Sequence, residues 1–230
     1  FQVISNAAAY IKSKIDFNDA PLNDNILFIE KEVERGVVLI NDLIKFARPH
    51  SPVKKIFSIN DLIINTIPLL NEQLISGNIC YSQNFSEIPA VFADYNLLQQ
   101  VLINIFKNAI EAMPKGGQLN VTTGLIDSID LKKRFNAGGS HFNDIKFISI
   151  KISDTGVGIK KENLSKVFMP FFTLKNKTDG SGLGLSVSHS IIKEHNGFID
   201  VESDECKGGT CFFIYLPPLH SSLSTSMNPL

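Results

Sequence analysis

The stretch Asp94–Met113, DYNLLQQVLINIFKNAIEAM, places the tightest constraint on how this chain can fold. Its apolar residues Leu97, Val101, Ile105, Ala109 and Ala112 recur every three or four positions, the spacing of one buried helical face. Asn104 and Asn108 stand four apart and therefore share a second face, one turn of helix between them. Asparagine is a mediocre helix former because its amide competes with the backbone for hydrogen bonds. Two on one turn, among strong helix formers, mark either a solvated polar face or a polar site.

The chain has 230 residues, enough for one medium domain and a smaller one. Net charge is −1, and this balance gives no support for a nucleic-acid-binding surface, which would carry a basic excess. The three cysteines, Cys80, Cys206 and Cys211, form no CxxC pair; they read as free, buried thiols in a reducing compartment. No signal peptide is legible, and no apolar run approaches the 18 or so residues of a membrane span. The expectation is a cytoplasmic protein, with any membrane anchor lying upstream.

Residues 1–15 carry Ile4, Ala8, Ile11 and Ile15 at helical spacing. Asp16–Asn25 is polar and reads as a loop. A longer helix follows, with Ile26, Ile29, Val33, Val37, Ile40, Ile44 and Ala47 in a coiled-coil-like stripe and a charged flank from Glu30 to Arg35. Pro49 and Pro52 end it. This hairpin is too thin to bury its own stripe. It either pairs with a copy of itself as a four-helix bundle or packs on the rest of the chain.

Beyond a linker at 51–58, Ile59–Gln73 reads as a helix capped by Ser58 or Asn60. Ile79–Phe85 reads as a strand, and Gly116-Gly117 closes the asparagine-bearing helix in a turn. Strands are expected at Gln118–Thr123, Lys146–Ser153, Phe198–Ser203 and Thr210–Leu216, with a helix at Leu185–His195. Residues 127–144 read as an extended loop, and 219–230 as a Ser-rich disordered tail. Strands and helices interleave without regular βαβ spacing, which argues for a mixed sheet with helices layered on one face. The domain plan is therefore 1–50 hairpin, 51–58 linker, 59–218 α+β domain and 219–230 tail.

Four segments in one order carry a family resemblance. NIFKNAIEAM resembles the N box of the histidine kinases, DTGVGI their first glycine box, VFMPFF their phenylalanine box and GSGLGL their second glycine box. The resemblance implies an α+β chain: a dimeric four-helix bundle built from the hairpin, then the two-layer α/β sandwich of the GHKL, or Bergerat, ATP-binding fold. It implies ATP and Mg²⁺ as ligands, a homodimer through the hairpin, and a response-regulator receiver domain as partner. Phe1-Gln2-Val3-Ile4 looks like the tail of the family's phosphoacceptor pattern, so the acceptor His is expected about six residues before Phe1. None of His50, His141, His189, His195 and His220 replaces it, because each lacks the following acidic residue and Asn-Pro.

The residues of the boxes suit that chemistry. Adenine offers an exocyclic amine donor, which a fixed carboxylate can select; Asp154 follows a strand and precedes Gly156 and Gly158, where backbone can approach a base closely. The resemblance gives Asp154 that role and gives Thr210 a supporting hydroxyl. The competing reading of Asp154 is a turn-capping residue. Ser181, Gly182, Leu183, Gly184 and Leu185 open a helix whose N-terminus favours phosphate. Residues 173–180 should form a lid, with Lys175, or its rival Lys177, reaching the γ-phosphate. Phe168, Phe171 and Phe172 are read as packing the lid or the core.

A carboxamide oxygen suits Mg²⁺, a role the family assigns to Asn108. Related ATPases carry a Glu general base at the position of Asn104. Asn cannot accept that proton, so ATP should be held without rapid hydrolysis and its γ-phosphoryl kept for an imidazole. Asn104 and Lys175 are accordingly the catalytic candidates. His195 is read as structural, ending its helix with Gly197 at the cap. Two other readings compete: a hydrolysing ATPase of the same superfold, and a non-enzymatic dimeric scaffold that binds nucleotide.

Overall fold

The computed structural model describes residues 2–14, 20–47, 52–135, 146–174, 181–203 and 208–219. The chain divides into two compact units, 1–50 with 173–183 and 51–172 with 184–230. In the first, α1 (Gln2–Lys14) and α2 (Ala20–Ala47) form the hairpin. Helix α2 starts inside the expected loop: Pro21 in its first turn has no N–H to lose there and a φ already suited to helix. Ala8, Ile26 and Val33 are buried, whereas Ile4, Ile11, Leu27, Ile29, Val37, Ile40 and Phe28 (63% exposed) are not. Lys12 pairs with Glu30 at 2.8 Å across the two helices. Ile15, and the side chains of Ile44 and Ala47, lie outside the described residues.

In the second unit, β1 (Lys55–Phe57) emerges from the expected linker and pairs antiparallel with β3 (Val91–Ala93). The expected helix from Ile59 to Gln73 is broken into α3 (Ile59–Thr66), a 3-10 turn (Ile67–Leu70) and α4 (Asn71–Ser76). Pro68 is the cause, since it lacks an N–H and its ring clashes with a helical carbonyl four residues back. Ser58 is the cap of α3, its hydroxyl accepting from Asp61 N–H.

The main sheet runs in the order β2 (Ile79–Phe85), β4 (Gly117–Asp127), β5 (Lys146–Asp154), β7 (Thr210–Leu216), β6 (Phe198–Ser203). The pair β2–β4 is parallel and the other three are antiparallel, so the sheet is mixed as expected. Parallel neighbours need an overhead crossover; α5 (Tyr95–Glu111) lies in that connection. The buried face of α5 is broader than the stripe read from sequence: Leu98, Leu102 and Phe106 join Val101, Ile105 and Ala109, while Leu97 and Ala112 are only half-buried. Gly116 is not the cap of α5. The helix ends through a right-handed Ala112, and Gly116 (φ +83°) instead turns the chain into β4.

Strand alternation separates two faces. Ile148, Ile150 and Ile152 of β5, with Phe212 and Ile214 of β7, join α3, α5 and α8 (Gly184–Glu194) in the principal core. Phe147 and Tyr215, of opposite parity, form a second cluster with Leu131 on the other face. Leu131 belongs to α6 (Ser128–Phe135), a helix where a loop was expected. Arg134 clamps it down: its guanidinium meets Asp200 and Glu202 at 2.6 Å each and lies 4.4 Å from the Phe213 ring centroid. Residues 136–145, including Gly138-Gly139-Ser140, lie outside the described residues.

Two further expectations change. Cys80 is exposed and Cys211 half-buried, both free thiols rather than core residues; Cys211 sits 3.2 Å from the Ser153 hydroxyl. The last helix begins at Gly184 and ends in a Schellman turn, with Asn196 N–H donating to Lys193 O and Gly197 N–H to Ile192 O. Asn196 (φ +55°), not Gly197, takes the left-handed position. A short helix, α7 (Lys161–Leu164), completes the described elements.

Candidate active site

Asp154 closes β5 directly opposite Thr210, which opens β7. Asp154 is 7% exposed, and its Oδ1 accepts from Gly156 N–H (2.8 Å) and Thr210 N–H (3.2 Å). The bond to Gly156 is the turn-capping geometry of the competing reading, and it leaves Oδ2 outside the bonds that Asp154 makes among the described residues. Burial pushes the pKa above its ordinary 3.8, opposed by the two amides. A largely desolvated carboxylate with one oxygen uncommitted is a strong acceptor for an N–H donor.

The loop after Asp154 is pinned on both sides. Val157 N–H donates to Ala112 O at the end of α5, and Gly209 N–H donates to Gly156 O at 2.7 Å. A Cβ on Gly156 would stand 2.6 Å from Ala112 O, so only glycine fits there. Gly209 (φ +87°) is likewise required, since a Cβ would stand 2.5 Å from Asp154 O. Gly158 has φ +75°.

Asn104 lies on α5, and its Nδ2 donates to Gly184 O (3.1 Å) and Ser188 Oγ (3.3 Å) at the start of α8. The amide orientation follows from those acceptors, and it turns Oδ1 away from them. Asn108, one turn on, is half-buried. From Asn104 to Ala112 α5 rises ~12 Å, so one helix joins the asparagine end of the site to the Gly156 loop. Leu185 packs against the principal core. Ser181, Gly182 (φ +67°) and Leu183 form a turn of their own, Leu183 N–H donating to Ser181 Oγ at 3.3 Å. Lys175 and Lys177 lie outside the described residues. Phe168 and Phe172 pack against the core, whereas Phe171 (φ +66°) is exposed.

His195, buried at 4% exposure, has the structural place expected of it. Its Nε2 accepts from Asp94 N–H (2.9 Å) and its Nδ1 lies 2.8 Å from Ile191 O, so the ring is the neutral Nδ1–H tautomer. Asp94 caps α5 through Asn96 N–H and Leu97 N–H and also accepts from Val53 N–H at 2.7 Å. The start of α5 is thereby tied to the end of α8. Burial lowers the His195 pKa from its ordinary 6.5.

Sequence reasoning passed over Ser203. Its hydroxyl accepts from Ile159 N–H and donates to Gly209 O, each at 2.7 Å, beneath the Asp154 loop. A signal was present: Ser203 shares the inward parity of Ile199 and Val201, so a hydroxyl stands where alternation calls for an apolar side chain.

A carboxylate thus stands at a strand end beside a glycine loop, with paired asparagines on the crossover helix. Residues 93–220 match the family model of histidine kinase-, DNA gyrase B- and HSP90-like ATPases. The chain belongs to that family and has its GHKL fold, and its curated relatives include sensor histidine kinases. It is 37% identical over 190 residues to sporulation kinase E of Bacillus subtilis, covering 82% of this chain and 23% of that protein. It is 31% identical to the sensor histidine kinase ZraS of Escherichia coli K12, covering 81% and 36%. The chain thus spans well under half the length of these relatives. Among solved structures, the catalytic domain of histidine kinase ThkA aligns at 30% identity with TM-score 0.57, covering 72% of this chain and 96% of that one. ThkA in complex with response regulator protein TrrA aligns at 26% and 0.65, covering 94% and 56%. Full-length ShkA in complex with AMPPNP shares the fold at 20% identity and TM-score 0.69, covering 94% and 42%.

Proposed function

We propose that this chain is the ATP-binding catalytic core of a sensor histidine kinase, which transfers the ATP γ-phosphoryl to a histidine on a dimerisation helix for relay to a response-regulator aspartate. The observation that carries the reading is the Asp154 carboxylate, buried, fixed through Oδ1 and left with Oδ2 as an acceptor suited to an adenine amine. Thr210 supports the base beside it. Ser181, Gly182, Leu183, Gly184 and Leu185 would offer backbone amides to the phosphates, with Lys175 or Lys177 as the cationic side chain.

Among the described residues, no cluster of three or more His, Cys, Asp or Glu side chains could hold a metal alone. The Asn108 carboxamide fits Mg²⁺ shared with the phosphates, because that ion keeps most of its waters and takes few protein ligands; when bound, it neutralises charge on the triphosphate. Asn104 orients the start of α8 and, lacking basicity, leaves the γ-phosphoryl unhydrolysed. Catalysis then rests on positioning and charge stabilisation. The exposed large hydrophobic residues of the hairpin, Tyr10, Phe28 and Leu27 foremost, support a homodimer through α1 and α2. No described helix is long and apolar enough to cross a membrane.

Calorimetry with ATP, with and without Mg²⁺, tests the reading. Affinity in the micromolar range is expected, weakened at least about 30-fold by Asp154→Asn through loss of a charge-assisted hydrogen bond. Phosphotransfer to a histidine-bearing dimerisation helix added in trans is the next step. Binding indifferent to Asp154 overturns the kinase reading.

A further inference from the structure

The proton inventory beneath Asp154 points to a residue that sets base selectivity without touching the base. A serine hydroxyl has one proton and two lone pairs. At Ser203 the proton goes to Gly209 O, a carbonyl that can only accept, and one lone pair takes the Ile159 N–H. The Thr210 hydroxyl lies 3.3 Å from the same oxygen. With Ser203's proton committed, that contact is a hydrogen bond only if Thr210 donates. Thr210 then has lone pairs to offer a ligand and no proton.

We propose that Ser203 is a specificity-determining residue acting through Thr210: by holding the Thr210 proton it makes the base end of the site a pair of acceptors, the Asp154 carboxylate and the Thr210 oxygen. Two acceptors match a 6-amino purine, whose exocyclic group carries two N–H donors. At that exocyclic position they oppose a 6-oxo purine, whose O6 finds only lone pairs. A site that hydrogen-bonds one partner rejects the other because its buried polar groups are left unpaired. The same hydroxyl closes a ring of bonds, Asp154 Oδ1 to Gly156, Gly156 O to Gly209, Gly209 O to Ser203, Ser203 to the Thr210 hydroxyl and Thr210 N–H to Asp154 Oδ1, so the two acceptors keep one spacing.

This inference rests on the adenine reading of Asp154, and one experiment separates the two. ATP and ITP affinities are measured by calorimetry on the 230-residue chain and its variants, with folding checked by thermal melting. The unsubstituted chain should prefer ATP by at least about 30-fold. Ser203→Ala frees the Thr210 proton to donate to O6, so the ATP/ITP ratio should fall by about tenfold. Ser203→Thr, which keeps the hydroxyl, should restore it. In a Thr210→Val background Ser203→Ala should leave the ratio unmoved. Equal weakening of both nucleotides by Ser203→Ala, or no change, overturns the proposal and leaves Ser203 as loop support. If Ser203→Ala does not fold, Thr210→Val alone decides: an unaltered ratio overturns it. A parent chain that binds both nucleotides alike, and ignores Asp154→Asn, instead overturns the adenine reading.

Discussion

The two ends of the candidate site are built differently. At the Asp154 end, main-chain groups do the holding: Gly156 and Thr210 amides on Oδ1, Gly209 N–H on Gly156 O, and Val157 N–H on Ala112 O. Strand register sets the Asp154–Thr210 distance there. At the Asn104 end, a side-chain amide reaches across to α8, helped by the Ser188 hydroxyl, which donates to Gly184 O at 2.9 Å. Backbone-held geometry tolerates only substitutions that keep the chain path, and fails by steric clash. Side-chain-held geometry can be dismantled one group at a time while the fold stays intact.

The largest effect should come from the side-chain end. Asn104→Ala removes the amide that meets Gly184 and Ser188, and phosphotransfer in trans should fall about 100-fold while ATP affinity changes less than about fivefold. A parallel loss of affinity would show that the two ends are not separable. Next, Gly156→Ala should destabilise the domain by about 1–3 kcal/mol, because the new methyl meets a carbonyl that cannot move without α5. Thermal melting reads this, and an unchanged Tm would mean the loop is softer than its bonds suggest.

His195 gives a smaller, pH-dependent term. Its folded pKa lies below its ordinary 6.5, so below that value the unfolded chain takes up a proton that the folded chain refuses, and stability falls as pH drops. His195→Gln, which can still accept from Asp94 N–H, should flatten the Tm profile between about pH 7 and pH 5.5. Smallest of all, Arg134→Ala on the opposite face of the sheet should cost about 1 kcal/mol, given ion pairs that are partly exposed. It should leave ATP affinity and phosphotransfer alone, which makes it the control for both ends.

Legibility followed the same division. Strands β6 and β7 match their sequence limits to the residue, because each is a short β-branched and aromatic run with turn residues on its flank. The asparagine-bearing helix is equally plain in the sequence, but its buried face is wider than the three-and-four spacing implies: Leu98, Leu102 and Phe106 flank that stripe, and only the sheet decides how much of a helix it covers. The break at Pro68 was foreseeable from the proline alone, but a continuous apolar pattern on either side masked it. Helix α6 was hidden because Leu131 and Phe135 alone join its short, charged segment to the second cluster. Asp154 and Asn104 could be singled out by chemistry and by motif. Ser203 shows in the sequence only as a hydroxyl at an inward strand position; which proton goes where follows from its bonds to Gly209 and Ile159 and from the register of β6 against β7.

That register also bears on how the protein is made. Strand β7 is the last of the described strands to leave a ribosome, yet it lies inside the sheet between β5 and β6 and brings Thr210 to Asp154. Until it arrives, β5 and β6 each present an open edge, and Asp154 lacks one of its two amides. A nascent or prematurely ended chain can therefore neither close its sheet nor complete the Asp154 end of the site, which leaves incomplete products to aggregation or proteolysis.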